Sequence, residues 1–365
     1  MFDVNSRLEM KKKRIIVAMS GGVDSATTAA LLKREGHEVI GVTMQLWDYG
    51  ESQGGCCSAD EVCDARRVAY DLGIPHYVVN YMDSFKELIV SDFVEKYDSG
   101  LTPIPCILCN QFMKFNFLLK RALELDADYL ATGHYASIDQ HPATGKYTLS
   151  KAVDSNKDQS YFLFTLGQQE LGRLMFPLGG KTKPEVRKLA SEMGLKVAKK
   201  PESMGVCFIT GNSYRDFIDP YLDRGKREGD IVDMKGNFIA KHSGVSSFTI
   251  GQRRGLGFAN GMPMYVVEID SEKNRVIVGE DNDLFRSELL ADNLSWVDEP
   301  PSSLFNVKSK IRYRHEGDTS TVSIINENKV LVNFDKPQRA ITPGQAIVFY
   351  RNDNVIGGGW IKEVH

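Results

Sequence analysis

Two groups of residues in this sequence have the types and spacing that chemistry requires. The first is the segment SGGVDS at residues 20–25, which follows the apolar run RIIVAM and precedes a segment with helical periodicity. The second is a set of three cysteines, Cys106, Cys109 and Cys207, which are flanked by proline, asparagine and glycine residues. The first group suits the binding of an anion, and the second suits nucleophilic chemistry or metal binding.

The SGGVDS segment predicts a phosphate-binding turn. A glycine-rich turn between a strand and a helix leaves backbone N–H groups unpaired, and the helix dipole adds positive potential at the same place. Gly21 and Gly22 allow the backbone to approach an anion closely, and Ser20 and Ser25 add hydroxyl donors. The segment is neither a Walker loop, because no Gly-Lys-Ser/Thr follows, nor the dinucleotide pattern G-x-G-x-x-G. We therefore predict a nucleotide site of another kind rather than a plain tight turn.

At these residues the sequence resembles the PP-loop ATP pyrophosphatases, which cleave ATP between the α and β phosphates and adenylate a substrate oxygen. The resemblance implies that Mg²⁺ accompanies ATP near Asp24, and it assigns no protein ligand to the metal. It places Met44 at the adenine, although packing in the core would explain this methionine equally well. The ATP-binding residues that the resemblance implies are Ala18, Met19, Ser20, Gly21, Gly22, Val23, Asp24, Ser25, Met44 and Gly133.

The three cysteines indicate thiolate chemistry. They lie in segments predicted to be loops, and Cys109 comes just before a helix predicted over residues 110–126, where the helix dipole favours a thiolate. A thiolate can act as a nucleophile or bind a metal, so both interpretations stay open. In a nucleophilic scheme one cysteine carries sulfur as a persulfide and the other releases it, leaving a disulfide. This scheme requires Cys109 and Cys207 to approach within about 4.4–6.8 Å between Cα atoms.

A longer series of motifs narrows the resemblance. The chain contains, in order, SGGVDS, GLTPIPCILCN, ATGHYA, KDQSYFL, ESMGVCFI, FTIGQRRGLG, RYRH and TPGQ. From about residue 12 to the C-terminus it is similar to the tRNA-specific 2-thiouridylases, also called tRNA-uridine 2-sulfurtransferases. The resemblance implies ATP-dependent 2-thiolation of the wobble uridine, U34, in tRNA. ATP would adenylate the uracil O2 with release of pyrophosphate, and sulfur from a cysteine desulfurase or a sulfur-relay protein would displace AMP.

The same resemblance implies roles for individual residues. Cys109 matches the nucleophile and Cys207 the cysteine that carries the persulfide, with a disulfide between them as a transient product. The residues that match contacts to the target uridine or to tRNA are Ile104, Pro105, Cys106, His134, Lys157, Asp158, Gln159, Arg312, Tyr313 and Gln345. Some relatives have an aspartate where this chain has Cys106, so the group that transfers protons is left unassigned.

Alternatives remain open on the sequence. The same reaction could use an iron–sulfur cluster held by Cys106, Cys109 and Cys207, because C-x-x-C spacing permits three thiolate ligands. An ATP-dependent ligase or amidotransferase would not need these cysteines, and we find no glutaminase segment in the sequence. A tRNA-binding protein with a relic nucleotide loop is disfavoured by the intact SGGVDS. The further cysteines, Cys56, Cys57 and Cys63, lack a fourth zinc ligand at normal spacing, and we predict that they are non-catalytic.

The elements that must position these residues follow from hydrophobic periodicity. In residues 1–212 apolar strand-like runs alternate with helix-like segments, which predicts an α/β catalytic domain with a doubly wound parallel sheet. A hairpin over residues 135–154 is assigned to this domain. Short strands and glycines predict a small β-rich, tRNA-binding central domain over 213–285, and alternating runs predict a β-barrel over 286–365.

Composition limits the cellular setting. The chain has 365 residues and a formal net charge of −3, so a surface that binds nucleic acid would have to be local. No apolar run reaches the roughly 18 residues that a membrane span needs, and no secretion signal precedes the first strand. We therefore expect a cytoplasmic protein without a membrane partner and with reduced cysteines rather than a structural disulfide framework.

Overall fold

A computed structural model describes residues 12–47, 59–202, 205–209, 213–222, 227–258 and 261–365. Cys56 and Cys57 lie outside these described residues, and Cys63 is exposed on a helix. The described residues form three sheets, one parallel and two largely antiparallel. The prediction of an α/β region followed by two β-rich regions is confirmed.

A five-stranded parallel sheet organises the first region, with the order β3-β2-β1-β4-β7. The strands of this region are β1 (Arg14–Ala18), β2 (Glu38–Gln45), β3 (His76–Asn80), β4 (Tyr129–Ala131), β5 (Ala136–Gln140), β6 (Tyr147–Lys151) and β7 (Leu174–Met175). Strand β1 is apolar because both faces of the sheet are covered. It pairs with β2 on one side and with β4 on the other, so its carboxyl end is the switch point at which ligands bind in such sheets.

Helices cover both faces of this sheet. They are α1 (Val23–Arg34), α2 (Ala59–Leu72), α3 (Met82–Phe85, continuing through Lys86–Val90 and Ser91–Asp98), α4 (Pro105–Leu108, continuing through Cys109–Leu118 and Leu119–Glu124), α5 (Gln168–Leu171) and α6 (Lys183–Glu192). Short 3₁₀ turns cover Ser160–Leu163 and Lys196–Lys199. Helix α6 begins where Glu185 accepts a hydrogen bond from the backbone N–H of Thr182 at 2.7 Å. Across the described ranges, no helix combines the length and the apolar content that a membrane crossing requires.

Helix α4 corrects the prediction that Cys106 and Cys109 lie in a loop. The helix begins at Pro105 rather than at residue 110, because a proline fits the first helical position, where its missing N–H costs nothing. Cys106 therefore occupies the second position of the helix, and Cys109 lies a full turn inside it. From Cys109 to Leu118 the helix is π-helical, a rare geometry that is frequent at functional sites.

The hairpin of β5 and β6, which the sequence assigns to the first domain, joins the sheet of the barrel. Its strands pair antiparallel, as predicted, but β6 also pairs with the C-terminal strand through Asn354↔Ser150 and Val355↔Leu149. Leu149 is fully buried in a core cluster that also contains barrel residues such as Val348. The hairpin thus extends the barrel sheet rather than the parallel sheet, because its apolar face packs on the barrel.

Two β-rich regions complete the chain. After the short helix α7 (Tyr214–Ile218), the central sheet has the order β10-β11-β8-β9. Its strands are β8 (Gly229–Asp233), β9 (Phe238–His242), β10 (Tyr265–Asp270) and β11 (Arg275–Gly279). The barrel strands are β12 (Phe285–Trp296), β13 (Leu304–Lys310), β14 (Asp318–Asn326), β15 (Lys329–Arg339), β16 (Ala346–Arg351) and β17 (Asn354–Val364). Pairing of β12 with both β15 and β17 closes this barrel.

Candidate functional site

The glycine turn at residues 20–25 connects β1 to α1. Gly21 has a φ of +71°, and a Cβ there would lie 2.5 Å from the carbonyl oxygen of Glu61, so both backbone conformation and space require glycine. The Ser25 hydroxyl accepts a hydrogen bond from the Ser20 N–H at 3.1 Å and donates to the Gly22 carbonyl at 3.2 Å. Gly22 is the N-cap of α1 and brings no side chain to cover the first-turn N–H groups. The turn therefore presents backbone donors at a helix N-terminus, the arrangement that binds phosphate.

Gly133, which follows β4, lies directly against this turn. A Cβ at Gly133 would lie 2.8 Å from the backbone carbon of Asp24 and 2.9 Å from the Ser25 nitrogen. The two backbones therefore touch at the carboxyl ends of neighbouring strands. Met19 is almost completely buried in the core, and Met44 is half-buried. Among the residues predicted to bind ATP, the structure thus brings residues 18–25 and Gly133 into one place.

Charged residues that the sequence interpretation missed lie beside the turn. Lys183 Nζ donates to both oxygens of Asp24, at 2.8 and 2.7 Å, and lies 2.9 Å from Glu202. The Tyr135 hydroxyl also donates to Asp24 at 2.9 Å, and Lys157 pairs with Glu202 at 2.6 Å. Sequence reasoning assigned no role to Lys183, the first residue of α6, or to Glu202, although Glu202 opens the motif ESMGVCFI, because their contacts beside the turn depend on packing between distant segments.

The electrostatics of this cluster follow from these contacts. Desolvation opposes ionisation of Glu202, but hydrogen bonds from Lys157 and Lys183 outweigh it and lower its pKa to about 2. Burial, together with the Asp24 carboxylate, raises the pKa of Tyr135. At neutral pH Glu202 is therefore ionised and the Tyr135 phenol is neutral beside the glycine turn.

A second cation touches the turn from the opposite direction. Lys200 Nζ donates to the Gly21 carbonyl at 3.2 Å and to Asp64 at 2.7 Å. Burial raises the pKa of Glu61, the residue against which Gly21 packs, to about 7, with Lys200 acting in the opposite sense. Lys200, Asp64 and Glu61 therefore lie beside the glycine turn, next to the start of α2.

Cys106 is an exposed residue near the start of α4, but its thiol is close to other protein atoms. These atoms desolvate it and raise its pKa, while the charge of Lys114 acts in the opposite direction. Cys106 is therefore predominantly protonated at neutral pH, although it stands at a helix N-terminus.

Beside Cys106 runs a chain of hydrogen bonds. Lys114 Nζ donates to Asn110 Oδ1 at 2.9 Å and lies 3.4 Å from Nε2 of His134. The other ring nitrogen of His134 is 2.7 Å from the Thr132 hydroxyl. Burial and Lys114 together hold the pKa of His134 well below its ordinary value. The imidazole is therefore neutral, and its Nε2 can accept a hydrogen bond from the Lys114 ammonium.

Cys109 and the segment of Cys207 lie in the same core cluster. Cys109 is half-buried and packs in a group that includes Phe85, Phe93 and Phe208. Val206 and Phe208, which flank Cys207, belong to this same group, and Cys207 itself is exposed. Packing of Phe208, at 5.5 Å from Phe85 and 5.3 Å from Phe93 between ring centroids, thus brings the two cysteine segments together.

Several residues predicted to contact tRNA have structural partners. Asp158 is 5% exposed and accepts hydrogen bonds from the N–H groups of Ala152 and Ser160. Gln159 accepts from the Tyr135 N–H at 3.0 Å. His134 is buried, as described above. In this structure these side chains are therefore engaged in hydrogen bonds inside the protein rather than displayed on a surface that tRNA could contact.

The predicted barrel contacts face the catalytic region. Gln345 donates to the carbonyl of Thr102 at 2.9 Å and to that of Pro103 at 3.3 Å, next to Ile104 and Pro105. The Tyr313 ring lies 4.5 Å from that of Phe162 between centroids. Arg312 is exposed and donates to the Arg339 carbonyl at 3.0 Å. Arg312 and Tyr313 lie in the turn after β13, at the junction between the barrel and the first region.

The three cysteines do not form a ready metal site. Within the ranges that the structure describes, no three or more His, Cys, Asp or Glu side chains are grouped so that they could hold a metal ion. The described positions of Cys106, Cys109 and Cys207 therefore do not fit an iron–sulfur cluster held by three thiolates.

Comparison with known proteins covers nearly the whole chain. Three family models match: the tRNA methyl transferase HUP domain over 13–211, the tRNA methyl transferase PRC-barrel domain over 215–280 and the aminomethyltransferase beta-barrel domain over 286–361. The chain is 50% identical over 360 residues to tRNA-specific 2-thiouridylase MnmA of Geobacter metallireducens, covering 97% of this chain and 98% of the relative. It is 49% identical over 361 residues to the MnmA of Geotalea uraniireducens, covering 96% of each.

A solved structure is also similar over part of the chain. The U34-tRNA thiolase NcsA from Methanococcus maripaludis, with its 4Fe–4S cluster, covers 57% of this chain and 64% of its own at 18% identity and a TM-score of 0.36. That score is too low to support an argument about function. The identity to the MnmA relatives is high and extends over all three regions, and it confirms the resemblance inferred from the order of the motifs. The chain belongs to the family of tRNA-specific 2-thiouridylases.

Proposed function

We propose that this chain, an ATP-dependent uridine 2-thiolating enzyme of tRNA by family, modifies the wobble uridine U34 by adenylation and persulfide transfer. The observation that carries the proposal is the placement of two cysteine segments in one aromatic cluster, in the same region as an anion-binding glycine turn. The turn supplies the phosphate site, and the cysteines supply the sulfur chemistry. A nitrogen-transferring ligase would have no use for the second feature.

The first step is adenylation. The backbone N–H groups of the turn bind the phosphates of ATP, with Ser20 and Ser25 as further donors. The uracil O2 attacks the α phosphorus, the bond to the bridging oxygen breaks, and pyrophosphate leaves. The C2 carbon then carries AMP as a leaving group. Lys200, at 3.2 Å from the Gly21 carbonyl, contributes positive charge at the mouth of the turn.

The second step is sulfur transfer. The terminal sulfur of a persulfide on Cys207 attacks C2, and the C2–O bond breaks with departure of AMP. The thiolate of Cys109 then attacks the Sγ of Cys207. The S–S bond to the substrate breaks, its electron pair forms the thiocarbonyl, and a Cys109–Cys207 disulfide remains. An external dithiol reductant and a new persulfide restore the enzyme.

Cofactors and partners follow from this scheme. Mg²⁺ bound to the phosphates of ATP would supply charge neutralisation at this site. Asp24 faces this site, although both of its oxygens are hydrogen-bonded to Lys183. The persulfide comes from a cysteine desulfurase or a sulfur-relay protein, and the substrate is a tRNA with a wobble uridine. Because its proposed substrate and sulfur donor are expected in the cytoplasm, we propose that the protein acts there.

The test is thiolation of tRNA in vitro with ATP and a persulfide source, followed by mass analysis of the nucleosides. Cys207→Ser and Cys109→Ser should each abolish 2-thiouridine while ATP binding persists. Cys63→Ser is the matched control, because Cys63 is exposed on α2 outside the cluster, and it should retain full activity. Unaltered thiolation in either of the first two variants would refute the two-thiol scheme.

A further inference from the structure

The start of α4 carries two thiols, and the proposed sulfur transfer uses only one of them. Cys106 is the second residue of this helix and Cys109 is the fifth, and the N–H of Cys109 donates a hydrogen bond to the Cys106 carbonyl. Residues three apart on a helix are neighbours on its surface, with about 5–6 Å between their Cβ atoms. Cys106 therefore lies one helical turn from Cys109, on the same side of α4.

The position of Cys106 at the helix start allows the two thiols to join. A disulfide needs about 3.5–4.5 Å between Cβ atoms, which is about 1–2 Å less than the helical spacing. The first four N–H groups of a helix have no partner within it, so Cys106 can shift without breaking an N–H bond of α4. C-x-x-C at the start of a helix is also the spacing that thiol–disulfide enzymes use.

The proposed reaction leaves a disulfide that must be opened before the next turnover. Cys109 is half-buried and packs in the cluster that contains Phe208, the neighbour of Cys207. A dithiol from solution must find the Cys109–Cys207 disulfide by a bimolecular encounter, whereas Cys106 is held one turn away from Cys109. Proximity of this kind replaces the encounter, so the internal thiol is favoured over a dissolved one.

The protonation of Cys106 suits this order of events. Desolvation raises its pKa, so the thiol is protonated while Cys207 carries the persulfide, and it reacts slowly with that sulfur. A raised pKa lowers the fraction of thiolate but increases the nucleophilicity of the thiolate that does form. The charge of Lys114 favours this thiolate. Cys106 therefore spares the persulfide and can still attack a neighbouring disulfide.

We propose that Cys106 is a catalytic residue that resolves the Cys109–Cys207 disulfide after each sulfur transfer. Cys106 loses its proton to water, and its Sγ attacks the Sγ of Cys109. The Cys109–Cys207 bond breaks, and Cys207 leaves as a thiolate that takes a proton from water. One disulfide replaces another without net oxidation, and Cys207 regains a thiol that can accept a new persulfide.

The reductant then acts on the new bond. A dithiol from solution reduces the Cys106–Cys109 disulfide with two electrons and is itself oxidised to a disulfide. This inference rests on the proposed function, because it requires a Cys109–Cys207 disulfide as the product of sulfur transfer.

The test is disulfide mapping of the full-length protein after a single turnover. Protein loaded with persulfide and separated from the excess donor is mixed with ATP, Mg²⁺ and tRNA without reductant, then quenched in acid, alkylated and analysed by peptide mass spectrometry. The wild type should form 2-thiouridine and show mainly a Cys106–Cys109 disulfide, with Cys207 alkylated. Cys106→Ser should retain the Cys109–Cys207 disulfide. Cys63→Ser is the matched control, since it removes an exposed cysteine on α2, and it should give the wild-type pattern.

Turnover with dithiothreitol gives a second measurement, the ratio of the steady-state rate to the rate of the first turnover. In Cys106→Ser this ratio should fall about tenfold and rise with dithiothreitol concentration, because a dissolved dithiol must attack in place of the neighbouring thiol. Cys106→Ala should behave in the same way, and thermal unfolding of both variants verifies that they fold.

The outcomes separate the resolving role from the proposed function. A Cys109–Cys207 disulfide that persists in the wild type after 2-thiouridine has formed overturns the role of Cys106 and leaves the proposed function standing. An unchanged ratio of rates in both Cys106 variants overturns that role as well. Absence of 2-thiouridine in the wild type, or its formation without any disulfide, counts against the proposed function and therefore against both.

Discussion

The N-termini of α1 and α4 both lie at the site, and they use the same helix geometry differently. At α1 the cap is Gly22 and the flanking residues are glycine and serine, so the backbone donors themselves face the site. At α4 the first position is Pro105, which has no N–H, and the second is Cys106, whose pKa is raised by desolvation in spite of the helix dipole. We therefore expect the bare backbone donors of α1 to bind an anion, whereas at α4 the helix dipole does not overcome the desolvation that keeps the Cys106 thiol protonated.

The largest effect on this comparison is expected from a substitution that displaces the glycine turn before α1. Gly133→Ala introduces a Cβ at 2.8 Å from the Asp24 backbone, so the glycine turn must move. We expect kcat/KM for thiolation to fall on the order of 100-fold, because small displacements of a positioning backbone have effects of that size. Measurement of ATP-to-AMP turnover with tRNA checks the loss.

Gly180→Ala provides the control for that substitution. A Cβ at Gly180 meets nothing within 4 Å, so activity should be unchanged. Thermal unfolding of both variants distinguishes a local displacement from global destabilisation. Normal ATP turnover in Gly133→Ala would show that the contact between the β4 end and the turn does not matter.

The second prediction concerns the thiol at α4. Because the pKa of Cys106 is raised, its alkylation by iodoacetamide should accelerate about tenfold per pH unit up to pH 9 without a plateau. Lys114→Met removes the charge that favours the thiolate and should slow alkylation a few-fold at pH 8. Lys120→Met, on the exposed face of the same helix, should leave the rate unchanged. Peptide mapping of the alkylated protein gives the rates, and a plateau below pH 8 would mean that the dipole prevails over desolvation.

The smallest effect is expected where a barrel residue, Gln345, contacts the segment that precedes α4. Gln345→Leu removes the donor to the Thr102 and Pro103 carbonyls that precede this helix. The free energy of unfolding should fall by about 1–2 kcal/mol. Thiolation should fall a few-fold, while binding of a non-hydrolysable ATP analogue should be unchanged. Chemical denaturation and nucleotide titration measure the two quantities.

Gln140→Leu is the matched control for this change. Gln140 donates to the Gly145 carbonyl at 2.9 Å on the exposed hairpin, so its loss should cost less than about 0.5 kcal/mol. If Gln345→Leu weakened nucleotide binding as strongly as thiolation, the barrel would support both helix termini rather than α4 alone.

The sequence predicted the parts of this molecule that depend on local pattern. Apolar strand runs and the glycines of residues 20–25 indicated the parallel sheet and its switch-point turn, because strand burial and a positive φ at Gly21 impose residue types locally. The predicted start of α4, at residue 110, is wrong by five residues. Pro105 suits a loop but also fits the first helical position, and the helix begins there.

What the sequence could not predict depends on contacts between distant segments. Lys183 reaches Asp24 from a position more than a hundred residues away and also pairs with Glu202, and no local pattern gives either contact. The pairing of the hairpin with the barrel sheet could not be predicted either, because alternation of apolar residues indicates a buried face but not the element that covers it.

The shared packing of Leu149 with the barrel has a consequence for any attempt to shorten the protein. The strand β6 meets β17 along its edge, and the core beneath joins residues of both ends of the chain. Truncation after residue 285 would expose that edge and the apolar surface under it, which are ready templates for aggregation. A minimal nucleotide-cleaving fragment therefore cannot be cut from this chain at its apparent domain border without redesigning the hairpin.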